Sequence, residues 1–264
     1  MHVFEKWLAQ QPVIQPDGAL SYETLADSGE LPDEELVDYL GRELVRNYVG
    51  PGELAMIFDD LGAPEVAAHL RLNKFPADLK VRHGDFGEVV TGALYRRVRR
   101  WCVPVLKLRF KQTPNQAVQG TDVLAFRFRQ DPPVIAVPEV KTRATRTLDL
   151  GLEAHASLEK VLARLDESIT FMMARSVEQG HRFLARHLAA LLRKGQVRVV
   201  ERHMVFVHDD VRWREEIVDR LAGVVTNPTQ LTVVRIRDLQ PFIARVYQAA
   251  EAGPAASERK AGAE

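Results

Sequence analysis

Apolar positions recur at helical spacing over residues 33–48, DEELVDYLGRELVRNY, where Leu36, Tyr39, Leu40, Leu44 and Tyr48 share a side and acids fill the first turn. The spacing predicts an amphipathic helix ended by Gly50-Pro51-Gly52, with two short helices following around 53–60 and 64–72. From Gly84 onward Val89, Val90, Ala93, Leu94 and Val98 mark another helical face, closed by Arg96, Arg97, Arg99 and Arg100. The period then changes to two. In VPVLKLRF (103–110) Leu106, Leu108 and Phe110 alternate with Lys107 and Arg109. DVLAFRF (122–128) and VIAVPEVK (134–141) are two further strands, separated by the turn composition Arg-Gln-Asp-Pro-Pro.

The remaining pattern predicts a long helix from 148, a second helix beginning after Gly180, a strand over 198–208, a helix over 211–222, a strand over 231–236 and a helix over 239–250. This order implies an α/β fold, a mixed sheet flanked by helices. It divides the chain into an acidic helical region (1–78), one α/β domain (79–250) and a disordered Ala/Gly-rich tail (251–264).

Charge sharpens that division. The formal net charge of the 264 residues is zero. Residues 1–79 nevertheless hold 5 Lys/Arg against 15 Asp/Glu, residues 80–147 hold 14 against 5, and residues 148–264 hold 17 against 16. A basic block of this kind suits a polyanion such as DNA, or else it pairs with the acidic N-terminal part. The absence of any long apolar run and of a signal-peptide pattern in MHVFEKWLAQQP leads us to expect a cytoplasmic protein with no membrane partner. One cysteine, Cys102, excludes a disulfide framework and a multi-Cys zinc site; it is expected to be a partly buried small residue.

The chemistry gathers at VIAVPEVKTRAT (134–145), where Glu139 and Lys141 point to one side of a strand and Val140 to the other. Two other acid-x-Lys triplets, Asp78-Leu79-Lys80 and Glu258-Arg259-Lys260, have no strand to hold them. If 122–128 and 134–141 pair antiparallel, opposite residues have a constant index sum, which sets Asp122 across from Glu139. Two facing carboxylates require a positive partner, either Lys141 or a divalent cation. Glu88, on the preceding helix, can supply a third oxygen ligand for Mg²⁺ or Mn²⁺, although Asp85 and Glu88 also have the spacing of a helix capping box.

Gly120-Thr121-Asp122 with Glu139-Val140-Lys141 resembles the PD-(D/E)xK nuclease core, with Thr121 in place of the motif's Pro. The longer set, Gly84-Asp85-x-Gly-Glu88, Lys107, Lys111, Asp122 and Glu139-x-Lys141, is similar to the HamA-like family of the Hachiman anti-phage systems over roughly residues 33–170. That resemblance implies a restriction-endonuclease-like fold and a metal-dependent DNase working beside a helicase partner. It also implies catalytic roles for Asp122, Glu139 and Lys141, with Glu88 in the family's helix position. Lys107, Lys111, Arg143 and Arg146 are then candidates for the DNA backbone. The rival reading is a non-catalytic DNA-binding or adaptor subunit in which the same residues form an ion-pair cluster. The spacings of His203 and His208, and of His181 and His187, suit no zinc site, and Gly84–Gly87 is too short for a P-loop.

Overall fold

The computed structural model describes residues 2–50, 73–116 and 120–252. Helix α1 (Val3–Trp7) leads into strands β1 (Leu8–Gln11) and β2 (Leu20–Asp27) and then helix α2 (Asp33–Tyr48). Helix α3 (Leu79–Ala93) runs into a π turn at Leu94–Val98, and a 3-10 turn covers Lys107–Phe110. Strands β3 (Ala125–Arg127) and β4 (Val134–Arg143) come next. Helices α4 (Leu150–Ala163), α5 (Leu165–Glu178) and α6 (Arg182–Leu191) precede β5 (Val199–Asp209), α7 (Glu216–Ala222), β6 (Thr229–Ile236) and α8 (Leu239–Ala252).

Among the described residues six strands form one sheet in the order β1-β2-β6-β5-β4-β3. The inner pairings β2–β6, β6–β5 and β5–β4 are parallel, and the outer two are antiparallel. Parallel strands covered on both faces need apolar side chains on both, which explains their near-continuous hydrophobic runs. In β5, Val205 and Val207 enter the core shared with α1, α2, α3 and α8, while Met204 and Phe206 enter the core shared with α4–α7. The α/β class and the mixed sheet are as the pattern predicts, and α2 has the expected bounds.

Several expectations change. The strand predicted at 103–110 is absent: Lys107–Phe110 is a 3-10 turn, and the bridge to the sheet at Phe126 is made by Cys102, just before this stretch. The alternation there reflects a wall of buried and half-buried side chains rather than a ladder. The strand expected over 122–128 is shortened to Ala125–Arg127, and the long helix from 148 breaks at Arg164 into α4 and α5. Cys102 is exposed, not partly buried. The N-terminal part supplies two strands as well as helix, and β2 pairs with β6 from Leu20–Thr229 to Ala26–Arg235. The short helices expected at 53–60 and 64–72 and the tail from 253 lie outside the described residues.

Part of the basic block is used internally. Glu43 of α2 is buried and takes Arg96 at 2.7 Å and Arg97 at 3.7 Å, Arg99 pairs with Glu23 of β2, and Arg100 pairs with Glu5 at 2.5 Å. The arginine run that ends α3 therefore fastens the acidic N-terminal elements to the sheet. No helix among the described residues is long and apolar enough to cross a membrane.

Candidate metal and phosphodiester site

The β3–β4 hairpin fixes the register. Ala125 faces Ala136, Phe126 faces Ile135 and Arg127 faces Val134, so the index sum is the one that sets Asp122 opposite Glu139. The ladder stops at Ala125, and beyond Ala136 no strand among the described residues covers that edge of β4. Asp122 takes over there, its Oδ2 accepting the backbone N–H of Val140 at 3.0 Å. Gly120 turns the chain into this position with φ +101°, a conformation that favours glycine, and Thr121 donates to Ser168 Oγ at 2.8 Å.

Glu139 and Lys141 share the β4 face turned to α4. Lys141 Nζ donates to Glu139 Oε1 at 2.7 Å and lies 3.4 Å from Ser157 Oγ. The opposite face meets α3 at Gly87, where a Cβ would collide with Thr142 Oγ1 and stand 3.1 Å from Val140 Cγ1. That close approach carries Glu88 to the open edge of β4. Lys107 Nζ lies between two of the acids, 3.4 Å from Glu88 Oε1 and 3.4 Å from Asp122 Oδ1.

Glu88, Asp122, Glu139 and Lys141 thus line one open pocket of about 760 Å³, together with Arg143, Thr142, His83 and Lys80. The last three were not singled out from the sequence, although Lys80, Gly84 and Glu88 recur at a spacing of four and so share a helix face. The capping-box reading of Asp85 and Glu88 fails. Helix α3 is capped by Asp78, whose side chain accepts from the backbone N–H groups of Lys80 and Val81, so both acids lie inside the helix. Arg146 is drawn away to a surface pair with Glu216 at 3.2 Å.

Lys107 and Lys111 are not available to a phosphate from outside. Their side chains are 5% and 2% exposed, Lys107 held as described and Lys111 bonded to Asp85. Asp85 also accepts from Tyr48, whose hydroxyl is 3.1 Å from that of Tyr247. This buried network ties α2, α3, α8 and the segment after the 3-10 turn together behind the pocket. Its members are too far apart in sequence to be grouped by spacing.

Electrostatics define what the pocket lacks. Burial, reinforced by the negative charges of Asp122 and Asp85 and opposed by Lys107, pushes the Glu88 carboxyl up to about 8. Burial and Asp122 also raise Glu139 against the relief from Lys141. Burial alone would lower Lys107, but Glu88 and Asp122 outweigh it and hold the ammonium above its ordinary value. Fully ionised, the three carboxyls would outnumber the two ammonium groups, and the raised Glu88 carboxyl holds its proton at neutral pH instead. An all-oxygen donor set of this kind fits a hard divalent cation. Among the described residues no three Asp, Glu, His or Cys side chains are drawn together as a finished metal cage, and Lys107 stands between two of the acids that would ligate.

His203 and His208 are buried in the sheet, His203 against Tyr95 and Glu201 and pushed down to about 3 by burial and by Arg99 and Arg127, so both are structural. No curated protein matches the chain. The family model described as HamA matches residues 1–250 of the 264, and the chain belongs to that family.

Proposed function

We propose that this HamA-family protein is the nuclease subunit of an anti-phage defence system, hydrolysing DNA phosphodiester bonds with Mg²⁺ or Mn²⁺. The observation that carries the reading is the convergence of Glu88, Asp122, Glu139 and Lys141 on one solvent-reachable pocket at the edge of β4. The arrangement agrees with the PD-(D/E)xK pattern, in which acids from a helix, a strand start and a neighbouring strand surround a lysine. Asp122, Glu139 and Glu88 are the residues that would hold the ion. When bound, such an ion supplies an activated water and neutralises charge on the scissile phosphate.

The chain's own groups have separable tasks. Lys141, anchored to Glu139 at 2.7 Å and 20% exposed, orients that carboxylate and offers a cation to the incoming phosphate or the attacking water. Lys107 holds Glu88 and Asp122 against their mutual repulsion from the buried side. Lys80 and Arg143 on the rim are better placed for the DNA backbone than Lys107 or Lys111. A helicase partner, which the HamA-like resemblance implies, would deliver unwound DNA to this pocket.

The position of Lys107 favours one alternative, a non-catalytic DNA-binding or adaptor subunit in which lysines alone satisfy the acids. The test is cleavage of linear, circular and single-stranded DNA with Mg²⁺ or Mn²⁺, with and without the helicase partner, and with Glu139→Ala as control. Cleavage lost in the control supports the nuclease. No cleavage of any DNA by the parent chain, with partner present, selects the adaptor.

A further inference from the structure

Residues 179–200 carry five Lys/Arg and no Asp or Glu, a basic segment concealed within the nearly neutral C-terminal half. Most of it is α6 and the turn after it. Arg182, Arg186, Arg193 and Lys194 are exposed, and none has an ion-pair partner among the described residues, unlike the arginines that close α3. Phe183 stands among them, 76% exposed, beside Arg186 and one turn from His187.

The ring is supported from behind. Phe183 meets His187 edge-on at 4.4 Å, His187 stacks on Phe128 at 5.2 Å, and Phe128 stacks on Phe126 of β3 at 5.0 Å with only 5° between the planes. Phe126 is buried in the sheet core, so the row is anchored at one end and open at the other. A lone exposed phenylalanine is unremarkable. One that caps an anchored row of rings and is flanked by unneutralised guanidinium groups has the two features that recognise unpaired bases, namely a stacking surface and a cationic track for phosphates. A duplex hides its base faces and would leave the ring unused.

We propose that the outer face of α6, centred on Phe183, binds a single-stranded nucleic-acid segment apart from the carboxylate pocket. Phe128 lies beside the start of β4 and Glu139 some six residues along it, about 20 Å away at the rise of a strand. Both lie on the side of the sheet that faces α4–α6. The face is therefore suited to hold a strand whose continuation reaches the pocket. The inference shares with the nuclease reading only the choice of nucleic acid as ligand.

The experiment measures binding of fluorescent oligodeoxythymidine and of an abasic oligomer of equal length to the full chain, in a metal chelator so that cleavage plays no part. Phe183→Ala should weaken oligodeoxythymidine binding by about 5- to 150-fold and leave the abasic oligomer unchanged, with Phe183→Tyr restoring affinity. Arg182→Ala with Arg186→Ala should weaken both oligomers and lower the slope of log affinity against log salt by about 1.4. Wild-type affinity in Phe183→Ala, or an equal loss for both oligomers, overturns the proposal and turns attention to an acidic protein partner. Because no cleavage is measured, an inactive pocket cannot produce either result.

Discussion

Asp122 and Val140 are joined by a single hydrogen bond, carboxylate Oδ2 to backbone N–H at 3.0 Å, and that bond does the work of the strand pair that β3 stops short of making. The residue that should bind a cation is also the cap on an otherwise open edge of the sheet. The two roles separate by mutation. Asp122→Asn keeps an acceptor for Val140 and loses only the charge that faces Lys107, whereas Asp122→Ala also leaves a buried donor unpaired and should cost about 1–3 kcal/mol more. Both should lose Mn²⁺ affinity. Urea denaturation and Mn²⁺ titration of the two variants check this.

Glu139→Ala and Lys141→Ala should differ in kind. Loss of Glu139 removes a ligand, so Mn²⁺ affinity and cleavage fall together. Loss of Lys141 leaves the three carboxylates in place, so the ion still binds while cleavage drops by roughly 10²–10⁴-fold. DNA affinity should change little in either, because both variants keep Lys80 and Arg143 on the rim for the backbone. Wild-type cleavage by Lys141→Ala would reduce the lysine to a counter-ion.

Lys107→Met tests the charge balance of the pocket directly. It leaves Glu88 and Asp122 without the buried ammonium that stands 3.4 Å from each. Breaking a buried pair from one side costs about 3–5 kcal/mol. Added Mn²⁺ should then raise the melting temperature of the variant more than that of the parent, because the ion takes over the missing charge. Equal rises in both would mean that the ion does not sit between these acids.

Glu88 also gives stability a pH dependence in the absence of divalent ions. The unfolded carboxyl releases its proton near 4.5 and the folded one near 8, held up chiefly by burial. Between those values the folded chain binds more protons than the unfolded chain, so this group's contribution to stability declines as pH rises and levels off above 8. Glu88→Gln should flatten that part of the stability profile. An unchanged profile in thermal melts across the window would refute the assignment.

Gly87→Ala should push α3 off β4, since the added methyl meets Thr142 Oγ1 and Val140 Cγ1. Overpacking of this kind costs about 1–3 kcal/mol. Thr142→Ala in the same chain should recover part of the loss, a coupling that a double-mutant cycle measures. Cleavage should suffer as well, because Glu88 follows Gly87 directly.

What the sequence made legible was whatever depends on neighbours along the chain. The hairpin register followed from the turn composition alone, and Asp122 met Glu139's strand as the index sum requires. Alternation failed at 103–110 because it registers which residues are apolar, not which are buried, and Lys107 is buried by acids from two other elements. The Asp85–Lys111–Tyr48–Tyr247 network joins residues brought together only by the finished fold. Strand β2 hides buried Thr24 in a sequence, LSYETLAD, that looks half polar. The acid-Arg pairing was open on charge alone, and Glu43, Glu23 and Glu5 decide it for the arginines that end α3.

The parallel pairing of β2 with β6 also constrains how the protein is made. Tyr22 finds its partner at Leu231, so a nascent chain carries β2 paired only to β1 until about 200 more residues have been added. At roughly 5–20 residues per second this takes on the order of 10–40 s. The β1–β2 hairpin reaches the other strands only through β6, so a chain arrested before residue 229 leaves that hairpin detached from β3, β4 and β5. The sheet is therefore closed late, and a product cut short of β6 lacks the strand that joins its two parts.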